Sequence, residues 1–143
     1  MSHMHRQVEQ RLRDHDIRYT RGRRSVVEAL DEADGPRSAA ELAQELPAVP
    51  LSSLYRTLAV LEEAEVVVPH LSTKGTARYE LAEWLAGHHH HLVCVDCGRV
   101  EDIDVPQQFE AQVHHLVGAI SSQASFTATN HALEIEGRCN QCA

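Results

Sequence analysis

Of the 143 residues in this chain, its 4 cysteines and 11 histidines have the types and spacing best suited to chemistry. The cysteines fall in two C-x-x-C pairs, Cys94-Val-Asp-Cys97 and Cys139-Asn-Gln-Cys142, with residues 98–138 between them. A C-x-x-C turn offers two thiolates to one cation, and two such pairs complete a tetrahedral S4 shell. That shell leaves no open position for a reacting water, so the expected site is structural Zn2+. It would staple the end of the chain to the middle of a domain. Redox pairs or free buried cysteines are the alternatives. No thioredoxin-like context surrounds either pair, which favours zinc.

The run His88-His89-His90-His91 directly precedes Cys94. Side chains alternate along a strand, so His88 and His90 face one way and His89 and His91 the other. Each H-x-H pair can chelate a metal, giving two sites on two faces. His131 and Glu110 are candidates to complete one of them, and His70 and Glu80 the other. A solvated polar run at a domain boundary is the alternative.

The rest of the chain must position these groups. Hydrophobic residues make up 43% and aromatics 4%, so the core has to be mostly aliphatic. The net charge of −8 excludes a polybasic coat that binds nucleic acid by charge alone. Charge is uneven, however. Residues 6–24 carry seven arginines against Glu9, Asp14 and Asp16, whereas residues 83–143 are acidic. One basic face on an acidic chain suits an anionic partner; solvation of a helix is the plainer reading. No window approaches the ~20 apolar residues of a membrane span. The polar first residues lack a secretory signal, so the expected location is the cytoplasm and no membrane partner is expected.

Residues 5–14 read as a polar surface helix. Thr20 reads as the N-cap of a helix carrying Val26, Val27, Leu30 and Ala33 at helical spacing. Asp34-Gly35-Pro36 ends it. Ser38-Ala-Ala-Glu41 is a capping box opening a short helix that Pro47 stops. Ser52 or Ser53 caps the next, over 52–64, with Leu54, Leu58 and Leu61 on its apolar side. Val66–Val68, a turn over 72–75 and Ala77–Leu81 form a β-hairpin. Three helices and a hairpin describe a winged helix, whose recognition helix is 52–64. Residues 82–87 are the expected hinge between a domain over 1–82 and an α/β domain over 88–143. The latter has strands over 88–94, 99–105 and 132–137, and a helix over 106–120. The expected class is α+β.

Tyr19-Thr-Arg-Gly-Arg-Arg24 with Val26–Leu30, Ser53-Leu-Tyr-Arg-Thr-Leu58, His88–Gly98 and Asn130-His131 through Cys142 together resemble the ferric uptake regulator family of metal-dependent repressors. The resemblance covers about residues 8–142. It implies a homodimer whose winged helix binds double-stranded operator DNA, a palindrome, and whose C-terminal domain dimerises. It implies structural Zn2+ on Cys94, Cys97, Cys139 and Cys142. A regulatory inter-domain site would use His89, His91 and Glu80, with His70 as fourth ligand. A further site would use His88, His90, Glu110 and His131. The regulatory metal would be Zn2+ or Fe2+, with Mn2+ and Ni2+ as alternatives. On the DNA side, Tyr55 and Arg56 would enter the major groove with Ser52 and Ser53 near phosphates, and Arg18, Arg21, Arg23 and Arg24 would meet the backbone.

Three departures accompany the match. Pro36-Arg37 replaces a histidine that many members have, Ala82 stands where zinc sensors often have cysteine, and Glu65 replaces a glycine that often ends the recognition helix. The competing readings are a peroxide sensor of the same family with Asp102 as an extra ligand, a zinc-dependent hydrolase, and a metal-storage module that does not read DNA.

Overall fold

The structure, a computed structural model, describes residues 1–71 and 75–143. The chain divides into two compact units, Met1–Gly87 and His88–Ala143.

The N-terminal unit orders α1 (His3–Asp14), α2 (Arg21–Glu32), β1 (Arg37–Ser38), α3 (Ala39–Glu45), α4 (Leu51–Glu63), β2 (Val67–Leu71), β3 (Ala77–Leu81) and α5 (Glu83–Ala86). Thr20 caps α2 by accepting from the Arg23 N–H at 3.3 Å. At α3, Ser38 and Glu41 form the reciprocal capping box read from the sequence. The guanidinium of Arg78 on β3 donates to that same Glu41, tying the cap to the sheet. The sheet is antiparallel in the order β1-β3-β2. The expected 72–75 turn falls mostly on residues 72–74, outside the described residues.

Val8, Leu12, Val26, Val27, Leu30, Leu42, Leu54, Leu58 and Leu61 pack into one core. Burying each leucine contributes about 1.5–3 kcal/mol. The expectation of a surface helix over 5–14 needs correction, because Val8 and Leu12 of α1 are fully buried. Two apolar residues at i, i+4 form a stripe narrow enough to hide in a charged sequence, yet they suffice to dock one face. Neither Ser52 nor Ser53 caps α4 either. Pro50 occupies the N-cap without a side-chain bond, since its fixed φ starts the helix one residue earlier.

Glu65 ends α4 in the left-handed conformation, at φ 59°. The Val66 N–H reaches back to the Leu61 carbonyl and the Glu65 N–H to that of Glu62, both at 2.9 Å. This is a Schellman cap built without glycine. Asp16 and Ser125 hold the equivalent left-handed position after α1 and at the end of the long C-terminal helix. Only glycine occupies this region without strain. Glu65→Gly is therefore expected to stabilise the N-terminal unit by about 1 kcal/mol, read as an upward shift in its urea midpoint. An unchanged or lowered midpoint would refute the strain argument.

The C-terminal unit orders β4 (His90–Cys94), β5 (Val100–Ile103), α6 (Gln107–Gln123) and β6 (Glu134–Gly137). Its sheet runs β5-β4-β6, with β4 antiparallel to β5 and parallel to β6. Among the described residues its buried set is small: His90, Val93, Cys94 and Val100. No residue of α6 is fully buried.

Candidate metal centres and candidate recognition helix

Parallel pairing of β4 with β6 sets Cys94 opposite Gly137, and the Val95 N–H donates to the Gly137 carbonyl at 2.8 Å. That register brings the second C-x-x-C turn beside the first. Each turn is closed by its own backbone, Gly98 N–H to Cys94 O and Cys142 N–H to Cys139 O. Gly98 has φ 79°, which glycine alone adopts freely. The four sulfurs lie within 4.8 Å of one another, and Cys97 Sγ is 3.9 Å from Cys139 Sγ. A disulfide needs about 2 Å. Tetrahedral Zn2+ with bonds of about 2.3 Å sets sulfurs about 3.8 Å apart. Backbone N–H groups of Cys97 and Cys139 point at Cys94 Sγ and lower its thiol to about 6, whereas hydrogen bonds with the neighbouring thiols push Cys142 up. The donor set fits a closed zinc site.

His88, His90, Glu110 and His131 also converge. Glu110, in the first turn of α6, accepts at 2.8 Å from His88 and His131 on Oε1 and from His90 on Oε2. These are hydrogen-bond lengths; imidazole and carboxylate ligands on one tetrahedral Zn2+ stand about 3.3–3.4 Å apart. The Leu133 N–H donates to His90 Nδ1 at 3.2 Å, so a neutral His90 carries its proton on Nε2. To ligate through Nε2 it must release that bond. The residues suit a borderline divalent metal, and here they form a hydrogen-bonded cluster. Burial by itself would raise the Glu110 carboxyl. Hydrogen bonds from His90, His131 and His88, with the charge on His90, outweigh burial and hold it at about 2. A depressed carboxylate stabilises the fold above its unfolded value near 4.5, and that contribution fades as pH falls toward 2. In metal-free protein, Glu110→Gln is thus expected to flatten acid unfolding of the C-terminal unit across that window. Identical acid titrations would contradict this.

On the other face, Asp102 of β5 pairs with His91 of β4. Its Oδ1 lies 3.3 Å from Nε2 of both His89 and His91, whose ring centroids are 5.1 Å apart. Here 3.3 Å is long for a hydrogen bond and matches the edge of a tetrahedral metal shell. The odd–even division of the histidine run therefore holds, even though β4 begins only at His90. Asp102 is the candidate ligand that the sequence undervalued. Its cross-strand pairing with His91 is the signal, and pairing register is not written in local spacing. Glu80 and His70 both lie on the hairpin of the N-terminal unit, with Glu80 opposite Val68 and His70 opposite Arg78. That register makes them diagonal neighbours on one face.

On α4, Leu54, Leu58 and Leu61 are buried while Ser52, Tyr55 and Arg56 are exposed and Ser53 is half-buried. Arg18 and Arg21 are exposed. Arg23 donates to the Arg18 carbonyl at 2.6 Å, and Arg24 lies 4.9 Å over the Tyr19 ring. Burial raises the Tyr19 hydroxyl to about 12 despite that arginine. The first turn of α2 contains arginines and no acid, a pattern opposed to its own helix dipole but suited to a bound phosphate.

The model of the ferric uptake regulator family matches residues 14–136. The chain is 34% identical to the ferric uptake regulation protein of Legionella pneumophila, over 93% of this chain and 96% of that one. It is 30% identical to that of Bacillus subtilis strain 168, over 94% and 91%. Among solved structures, the Vibrio cholerae ferric uptake regulator superposes with a TM-score of 0.73 at 28% identity, covering 92% of this chain and 98% of that one. The Pseudomonas aeruginosa regulator with manganese gives 0.68 at 29%, covering 92% and 96%.

Proposed function

The chain belongs to the ferric uptake regulator family, and on that premise we propose that it is a homodimeric repressor that binds a palindromic operator when a divalent metal joins its two units. Members of this family are metal-responsive transcriptional regulators and not enzymes, so the hydrolase reading is set aside. The observation that carries the proposal is the convergence of His89, His91 and Asp102, with Asp102 Oδ1 3.3 Å from Nε2 of both imidazoles. Glu80 supplies the remaining donor from the N-terminal unit, with Asp102 in the place expected of His70. Bound there, the metal supplies a cross-link that favours one hinge angle over others.

The chain's own residues do the rest. Cys94, Cys97, Cys139 and Cys142 hold structural Zn2+ and keep the C-terminal unit folded. Phe109, Leu116 and Ile120 are about half exposed along one stripe of α6, an apolar face that a second copy covers. Two recognition helices then present Tyr55 and Arg56 to successive major grooves about 34 Å apart. Arg18 and Arg21 contact phosphates. Because operator binding and metal binding favour the same state, each tightens the other. His88, His90, Glu110 and His131 form a further metal position once Leu133 releases His90. The regulatory metal is Zn2+ or Fe2+. Mn2+ follows as an alternative from the manganese-containing relative, and Ni2+ from the imidazole-rich donor set.

Arg56→Ala tests the DNA-facing assignment. It is expected to weaken operator binding by roughly 10- to 100-fold, the worth of one guanidinium on a base edge, with metal content unchanged. Loss of metal with full affinity would mean that Arg56 is misassigned. A second reading rests on Asp102. Two imidazoles with one carboxylate are the donor set of non-haem Fe2+, which suits a peroxide-sensing member. Oxygen added to His89 or His91 after peroxide treatment of the Fe2+ form, read by mass spectrometry, distinguishes the two.

A further inference from the structure

Trp84 is the sole tryptophan of the chain, and core packing does not account for its place. It lies on α5, the last element before Gly87, and remains 37% exposed. Its indole N–H donates to the Glu65 carbonyl at 2.8 Å. The Arg11 guanidinium from α1 lies 4.1 Å over the indole ring. That same guanidinium reaches the Ala64 carbonyl at 3.4 Å and the Glu65 carboxylate at 3.8 Å. Ala64 and Glu65 are the C-terminal cap of α4, where a helix leaves carbonyls without intrahelical partners. One aromatic side chain and one arginine therefore fasten the segment leaving the N-terminal unit to the end of the recognition helix. On the inner side of α5, Leu85 packs against the core. Gly87 follows with φ 84° and ψ 170°, a conformation glycine alone adopts freely.

We propose that Trp84, clamped by Arg11, is a positioning residue that transmits hinge movement at residues 82–87 to the C-terminal end of α4. Rotation of the chain at Gly87 moves α5, and the indole bond to Glu65 delivers that movement to the helix bearing Tyr55 and Arg56. Without the clasp, α5 keeps Leu85 against the core and the Ala82 N–H bond to the Val66 carbonyl at 2.9 Å, but loses its side-chain link to the end of the recognition helix. A cation–π contact with a hydrogen bond to a cap carbonyl is strong enough to carry such coupling and weak enough to leave the fold intact.

The inference rests on the metal-responsive reading above, so the wild-type response is the control. Operator affinity of the full-length protein is measured by fluorescence anisotropy of labelled DNA, with excess Zn2+ or Mn2+ and with chelator. In wild type the ratio of the two affinities is large. A ratio near one with both metals would overturn the metal-responsive reading itself. Trp84→Leu is expected to cut that ratio at least 10-fold by weakening only the metal-loaded state, with circular dichroism and zinc content unchanged. Arg11→Met, which keeps the aliphatic stem but removes the cation, is expected to do the same and carries the test should Trp84→Leu misfold. Because the tryptophan is unique, its emission in wild type should also shift on metal addition. A wild-type ratio in the variants, an equal loss with and without metal, or an unchanged emission would overturn the role of Trp84.

Discussion

Replacing Cys139 with serine is expected to unfold the C-terminal unit and abolish the dimer while the N-terminal unit stays folded. The C-terminal unit has almost no aliphatic core of its own, since Val93 and Val100 are its fully buried aliphatic side chains among the described residues. Its one long helix buries none of its residues completely. Such a unit depends on a staple, and a structural zinc contributes on the order of 10 kcal/mol of folding free energy. In the proposed zinc shell Cys139 would supply one thiolate, and its backbone N–H donates to Cys94 Sγ. Serine keeps the backbone bond but not the soft ligand. The N-terminal unit encloses an independent core of more than a dozen buried residues, so it should survive. Elemental analysis, size exclusion and limited proteolysis together read the outcome: no retained zinc, a monomer, and cleavage confined to the region after residue 87. A zinc-loaded dimer in the variant would show that the cysteines do not form the staple.

His91→Ala should leave the staple intact and remove the response. His91 is bound into the candidate regulatory site twice, through Nε2 near Asp102 and through its strand pairing with that same residue. Loss of an orienting partner alone costs about 10- to 100-fold in metal affinity, and loss of a direct ligand costs more. The metal concentration for half-maximal operator binding is therefore expected to rise at least 100-fold, with one zinc per chain still present. Asp102→Ala should follow in the same direction. By contrast, His88→Ala should shift that midpoint much less, because His88 lies on the other face of the histidine run, where it donates to Glu110. Equal effects from His88 and His91 would mean that the two faces do not divide the work as proposed.

Much of this was legible in the sequence where local chemistry decides structure. Thr20 and the Ser38–Glu41 capping box mark helix starts because their side chains satisfy backbone donors a few residues away. The C-x-x-C pairs state their own pairing, and strand alternation alone separates His88 and His90 from His89 and His91. What escaped depends on distant partners. β1 is two residues long and exists only because Arg37 and Ser38 find Tyr79 and Arg78 across the sheet. Asp102 becomes a ligand candidate only through the register of β4 against β5. The docking of α1 turns on Val8 and Leu12, too few to stand out in so charged a segment. The short α5 lies within a stretch whose composition reads as linker.

On the proposed function, one metal site holds the fold and another operates the switch. The most direct measurement is metal identity and stoichiometry per chain, paired with operator affinity, before and after mild chelation. The expected result is one Zn2+ that survives chelation, a second metal that is removed, and operator binding lost with that second metal and restored on its return. Loss of all metal at once, or unchanged operator affinity after the second metal has gone, would contradict it.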